Sequence, residues 1–507
     1  MNAPAPALPT PDFSDWLSPI LVKELRQGLK TKAFVSIFIL VQVVMILLVG
    51  MQLLALANGG SRSTMQSFDG FFWAFVWIPL IVLMPARGLM TVSEEVKANT
   101  LDLVQLTRMS AFRIVLGKWV ALVAQSGLLV AAILPYAVLR YFFGQVNVIT
   151  DLVAIVLLLA FSFIMTAGTI ALSSAPLVFR ILALVVGVPG MFILGVSSLF
   201  ARGVMGMSSG PITNNTGWDT FMLVVIVALY VYLLLEIAAT RIAPLSENHA
   251  ARKRVVALGM AVVGAALSWL IGEDSASGWV IACVPLWTWI VLEALCEHTV
   301  KLPSLYAPWV RRGPLARLAG RGLYPGWATG LVFTTLLCGL IVLAIYGINL
   351  RKGTGLNTSD AFELGMTCAL VFSAIISPMP ILLLFPRVRQ PIWLYVLIQA
   401  LFGLLFAIAA IVGDTPGVDK ETAYAWLAPF PTSALFAFLE GGNNSTPLGT
   451  YAVVTLPVSA AIMVYLAIRV MSEFRVIRRL EDECRIKPEI AVPGVVTTPI
   501  EPSQALS

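Results

Sequence analysis

Residues 94–118 read EEVKANTLDLVQLTRMSAFRIVLGK, a polar run between two strongly apolar stretches. Two adjacent carboxylates, Glu94 and Glu95, open it. Thr100-Leu101, Leu103, Leu106-Thr107 and Ser110 follow, and Gly117-Lys118 closes it. The chemistry on offer is recognition rather than bond-making. Thr100 or Asn99 can cap a short helix over LDLVQL, with Leu101, Leu103, Val104 and Leu106 as its apolar edge, and Ser110 can cap the helix that continues as AFRIVLGKW. A short amphipathic helix raised from a pair of membrane helices is a knob for a groove on a soluble partner. The carboxylates add charge complementarity to a basic rim. Two local alternatives stand beside this one: a solvated loop without a partner, and carboxylates that stabilise the N-terminal end of LDLVQL through its dipole.

Other chemistries find little support. Paired glutamates occur in some intramembrane metalloproteases, but those need histidine ligands within spans. The two histidines, His249 and His298, fall on cytosolic segments, so no metal site or other cofactor is expected. No phosphate-binding G-x-x-x-x-G-K-[ST] loop is present, because Phe112 stands at the first glycine position and Trp119 follows Lys118. Charges inside spans are functional candidates by default. Glu236 and Glu293 are the clearest, and both are expected to snorkel to the cytosolic interface or to pair with a base such as Arg241. The five cysteines read as small apolar fillers.

Composition sets the elements that must hold these residues. Of 507 residues, 59% are apolar and 12% charged, against about 25% charged in a soluble domain. Mean hydropathy is +0.90. Crossing a hydrocarbon core takes roughly 20 apolar residues as a helix. About twelve such stretches occur, near 33–57, 71–90, 114–139, 151–172, 176–200, 219–240, 255–272, 279–296, 326–349, 361–385, 392–413 and 450–472. In lipid each must satisfy its own backbone, so an all-α polytopic membrane protein follows. With both termini in the cytosol, all but six of the 33 Lys and Arg lie on cytosolic segments or span ends, the six being Arg62, Arg140, Arg202, Arg351, Lys352 and Lys420. The positive-inside tendency favours that orientation. The basic balance therefore reflects topology rather than nucleic-acid binding.

Before the first span, Ser18-Pro19 reads as a helix start. Ile20, Leu21, Leu25 and Leu29 fall on one arc and Lys23, Arg26, Gln27 and Lys30 on the other, the pattern of a helix lying in the membrane interface. Residues 1–13 are proline-rich, and no cleavable signal peptide is expected. The segment 414–449, containing AYAWLAPFPTSALFAFLE, reads as a re-entrant or interfacial hairpin, and 473–507 as a charged helix followed by a tail.

The run from Glu94-Glu95 through Thr100-Leu101, Leu103, Leu106-Thr107 and Ser110 to Gly117-Lys118 resembles the signature loop of ABC-2 type transporter permeases. SPILVKELRQGLKTKAF is similar to that family's N-terminal interfacial or connecting helix. The likeness extends over about residues 15–240, with specific identity in 15–35 and 88–120. Asn99 stands where the family usually has Gly, and Arg108 where it often has Pro. The resemblance implies a permease subunit of an ABC exporter in the cytoplasmic membrane, forming a dimer with itself or a second permease. A separate ABC ATPase subunit would contact Glu94, Glu95, Thr100, Leu101, Leu103, Leu106 and Thr107. The chain then divides into a tail and interfacial helix over 1–32, a six-helix core over 33–240 that the resemblance covers, a second membrane region over 241–472 read from hydropathy alone, and the charged helix and tail over 473–507. An apolar interior would suit a lipid-like or hydrophobic substrate. The alternative class is an ATP-independent carrier or a scaffold of an envelope complex.

Overall fold

Apolar outer faces are the first structural sign of the solvent this chain meets. The computed structural model describes residues 19–59, 62–97, 110–142, 148–173, 175–182, 216–243, 248–270, 273–351, 358–385, 388, 391–413, 427, 429–440 and 448–486. Every regular element among the described residues is helical, and ten helices there are long and apolar enough to cross a membrane. Two expected spans are not among the ten. Of 176–200, residues beyond 182 lie outside the described residues. The stretch 255–272 falls in a helix that begins earlier, at His249, with three cations in its first two turns. The chain divides into two units, Met1–Ala243 and Pro244–Ser507.

The first unit contains α1 (Pro19–Lys30), α2 (Lys32–Ala57), α3 (Arg62–Trp77), a π-helical turn (Ile78–Leu83), α4 (Met84–Lys97), α5 (Ala111–Phe142), α6 (Val148–Leu172), α7 (Leu177–Leu182) and α8 (Thr216–Ile242). In α2 a single stripe, Phe34, Val41, Met45, Leu48 and Gln52, is buried. Ile39, Leu40, Ile46, Leu47 and Leu54 face outward. Such a helix is stable where its surroundings are acyl chains, and its association then rests on close packing rather than on water exclusion. Met45, Phe72, Leu80, Leu129, Ile133 and Leu158 supply that packing between α2, α3, α5 and α6.

Pro79 explains the π turn. Proline has no N–H to donate and its ring crowds the preceding turn, and a locally widened helix relieves the clash. Ser162 Oγ on α6 donates to the Leu80 carbonyl in that turn (2.6 Å). Beyond the turn α4 approaches α6 at Gly88, where a Cβ would stand 2.4 Å from Thr169 Oγ1. The sequence reading runs the second span to about residue 90 and gives Glu94-Glu95 to the polar segment beyond it. The helix instead continues to Lys97, because residues 86–97 hold no proline and include good helix formers. At the other end of α5, Arg140 Nη1 is 3.0 Å from Asp151 Oδ2, with its guanidinium 4.0 Å from the centroid of the Phe72 ring. This cation, one of the six exceptions to the orientation argument, is thus buried as a pair.

The second unit contains α9 (His249–Leu270), α10 (Glu273–Cys296), α11 (Pro303–Arg311), α12 (Pro314–Leu323), α13 (Trp327–Arg351), α14 (Thr358–Ile376), α15 (Met379–Leu384), α16 (Pro391–Gly413), α17 (Pro431–Glu440) and α18 (Leu448–Ile486). Asn248 caps α9, its Oδ1 accepting from the Ala251 N–H (3.0 Å). Arg252, Lys253 and Arg254, read from the sequence as part of a cytosolic segment, therefore lie inside a helix. Trp279 and Trp287 of α10 donate to the Met260 and Ala257 carbonyls of α9 (3.0 and 3.2 Å). Gly330 of α13 comes so near α10 that a Cβ would fall 2.0 Å from the Ala294 oxygen.

Ser377-Pro378 separates α14 from α15. The ten-residue α17 is too short to span, and it meets α16 half-way along. There Thr432 Oγ1 donates to Gln399 Oε1 (2.8 Å) and Ser433 Oγ to the Phe402 carbonyl (2.7 Å). The last helix, α18, runs 39 residues without interruption, about 58 Å at 1.5 Å per residue against ~30 Å of hydrocarbon. The charged segment from 473 is thus a continuation of the final span, not a separate element.

Candidate functional site

Residues 98–109 lie outside the described residues, and with them Thr100, Leu101, Leu103, Leu106 and Thr107. The two feet that flank them are described. Glu94 and Glu95 occupy the last turn of α4, which ends at Lys97. The Arg113 and Ile114 N–H groups donate to the Ser110 carbonyl (3.0 and 3.3 Å), which puts Ser110 at the N-cap position of α5.

The N-terminal helix is fastened to these feet. Along α1, Leu21, Glu24 and Leu25 are half-buried and Gly28 is buried, while Lys23, Arg26, Gln27 and Lys30 are exposed. Ile20 is helical in the same element. Leu29, placed on the apolar arc by its spacing, is exposed. The inward face is selected by polar and steric contacts instead. Glu24 Oε1 accepts from Lys118 Nζ at 3.1 Å, with both side chains largely out of water. Gly28 sits against Gln125, whose Nε2 would be 2.1 Å from an added Cβ. A side chain at 28 would have to displace the Gln125 amide.

Arg87 completes the clamp. From α4 it donates to Gln125 Oε1 of α5, to Thr31 Oγ1 (3.0 Å) and to the Gly28 carbonyl (3.4 Å). Its guanidinium lies 5.8 Å from the Phe34 ring centroid. Thr31 donates to the Gly28 carbonyl (2.7 Å) and accepts from the Phe34 N–H (3.4 Å), ending α1 and capping α2. On the far side of α4, Arg180 reaches the Ala175 carbonyl (2.6 Å) and the Leu89 carbonyl (3.5 Å). Arginine's fixed fork of donors suits such multiple attachment.

Both glutamates expected to snorkel or to pair with a base are among the described residues. Glu236 on α8 is 1% exposed, about two turns before the helix end, so it does not reach water. Glu293 pairs with a base, but the base is Lys253 of α9 at 2.8 Å. Beside it Arg254 bonds to Glu297 Oε2 (2.7 Å), the Tyr324 carbonyl (2.7 Å), Thr329 Oγ1 (3.0 Å), and the Gly322 and Gly326 carbonyls (3.1 and 3.2 Å). A small cavity between α9 and α10 is lined by all four of these charged side chains.

Sequence reasoning missed Glu24, Arg87 and Gln125 in the first unit, and Lys253, Arg254 and Glu297 in the second. One signal was present: Glu24 is a lone carboxylate in an otherwise basic helix. All five cysteines are free. No group of three metal-ligating His, Cys, Asp or Glu residues occurs among the described residues. Family models, curated proteins and solved structures give no match to this chain.

Proposed function

We propose that the chain is the membrane subunit of an ABC-type exporter in the cytoplasmic membrane, with twelve spans, both termini in the cytosol and α1 in the interface. A separate ATPase docks on 94–118 and drives export of a hydrophobic or lipid-like substrate. The subunit dimerises with itself or a second permease. The observation that carries this reading is the clamp at the feet of the loop. Lys118 and Arg87, one on each flanking helix, hold α1 against them, so a push on the loop enters α1, α4 and α5 together.

Glu94 and Glu95 add support. Carboxylates in the last turn of a helix oppose its dipole, by about 0.3–1 kcal/mol each when exposed. The stability of α4 therefore does not account for them, and in this reading a basic partner surface does. The chain carries no phosphate-binding loop of its own, so a partner supplies ATP chemistry in this scheme. The test is affinity purification of the full chain from its native membrane. A stoichiometric P-loop ATPase is the expected companion, and its absence under mild detergent refutes the proposal.

One observation favours the second class. The break at Ser377-Pro378 and the end of α17 at mid-length of α16 resemble the broken helices of secondary carriers. Substrate uptake into vesicles free of nucleotide separates the two readings.

A further inference from the structure

The amphipathic helix α12 turns its charged side inward. On its helical wheel Arg317 and Arg321 share one side, and Leu315, Leu318, Ala319 and Gly322 the other. In a water-soluble domain the leucine side faces the core. Here the arginines do: Arg317 Nε lies 2.6 Å and Arg321 Nη2 3.0 Å from the same Oε2 of Glu481, a fully buried carboxylate on α18. Leu315 and Leu318 are left 82% and 64% exposed.

Two features identify what covers them. The first is continuity with a span. After Leu323 the chain enters α13 at Trp327. Gly322, on the leucine side, has its Cβ position 3.9 Å from Leu336 Cδ1 of α13. Leu336 is itself 54% exposed on that membrane helix, nine residues beyond Trp327 and so about 13 Å along it. The leucine side of α12 thus merges with the outward apolar surface of a span. The second is charge: Arg311 and Arg312, both exposed, border the leucines at the turn between α11 and α12. Arginine forks match phosphate oxygens, and basic residues beside a membrane attract anionic headgroups.

We propose that α12 lies in the boundary layer of the bilayer, with Leu315 and Leu318 among acyl chains and Arg311 and Arg312 on the phosphates of anionic phospholipid. Through Glu481 this anchors the long end of α18 to the membrane. The inference stands whether or not an ATPase drives the protein.

The test uses the full chain in nanodiscs of phosphatidylcholine with or without phosphatidylglycerol. Bimane is attached to Leu315→Cys and, separately, to Leu318→Cys, with the labelled wild type subtracting the native cysteines. Quenching by doxyl-labelled acyl chains is expected to exceed quenching by aqueous iodide about threefold at both positions. The reverse order overturns the proposal. So does shielding from both quenchers, which signifies a protein partner on the leucines. Arg311→Gln/Arg312→Gln leaves the apolar side intact and reads the headgroup contact independently. It is expected to retain less than about half the wild-type amount of co-purified phosphatidylglycerol. Unchanged retention overturns the phosphate assignment.

Discussion

Replacing Lys118 by Met removes the cation that faces Glu24 while keeping the length of the buried stem. The side chains are 5% and 19% exposed and the contact is 3.1 Å. Breaking a fully buried ion pair by deleting one partner costs about 3–5 kcal/mol. Glu24 can partly rehydrate by turning outward with α1, so the expected loss is smaller, about 1–3 kcal/mol. At ~1.4 kcal/mol per factor of ten, α1 then opens roughly five- to 140-fold more often. Amide hydrogen exchange by mass spectrometry in nanodiscs reads this directly, because local opening sets the exchange of peptides covering 19–30. Exchange there should accelerate by that factor, while peptides from α6 stay unchanged. The charge swap Glu24→Lys/Lys118→Glu should return α1 close to its original protection. If Lys118→Met leaves the α1 peptides as slow as in the parent, or the swap restores nothing, the clamp is not what holds this helix.

Three further outcomes follow from the second unit. Arg254→Met strands Glu297 and several carbonyls and should lower stability by about 3–5 kcal/mol, seen as earlier thermal unfolding. Arg254→Met/Glu297→Gln should lose less, and equal losses contradict the pairing. Gly330→Ala forces α10 and α13 apart, since its Cβ would meet the Ala294 oxygen at 2.0 Å; about 1–3 kcal/mol of destabilisation is expected, and unaltered melting opposes it. Burial, with Glu473 and Glu481 adding, pushes the Tyr306 phenol up to about 12. The neutral phenol donates to the Val300 carbonyl (2.8 Å). Because the pKa is raised in the fold, this stabilisation is complete below the ordinary value of about 10 and disappears as pH rises through about 12. Proteolytic nicking near α11 should rise across that window in the parent and less in Tyr306→Phe.

The helical membrane class was legible because span-length apolar runs leave the backbone only one way to satisfy itself, and α2 shows the result with leucines on its outer face. What hydropathy could not supply was partner choice. Glu24 and Lys118 lie 94 residues apart, and neither position alone distinguishes a clamp from an ordinary interfacial charge. In α1 periodicity separated the exposed polar side from Leu21 and Leu25, but it gave no sign that Glu24 and Gly28 make the close contacts to α5. In α9, cations were read as a span border, yet carboxylates on α10 and just beyond its end draw Lys253 and Arg254 inside. For α12 the amphipathic pattern is plain, but a buried Glu481 from the distant end of the chain reverses the side that faces the protein. The residues from Thr100 to Thr107 proposed for docking were legible as a pattern alone, since they lie outside the described residues.

The most direct measurement is co-purification after reversing the two carboxylates at the end of α4. Glu94→Lys/Glu95→Lys is expected to insert at parental levels and to keep the slow exchange of α1, while losing the companion ATPase and the ATP hydrolysis that co-purifies with it. Retention of the ATPase at parental stoichiometry contradicts the account.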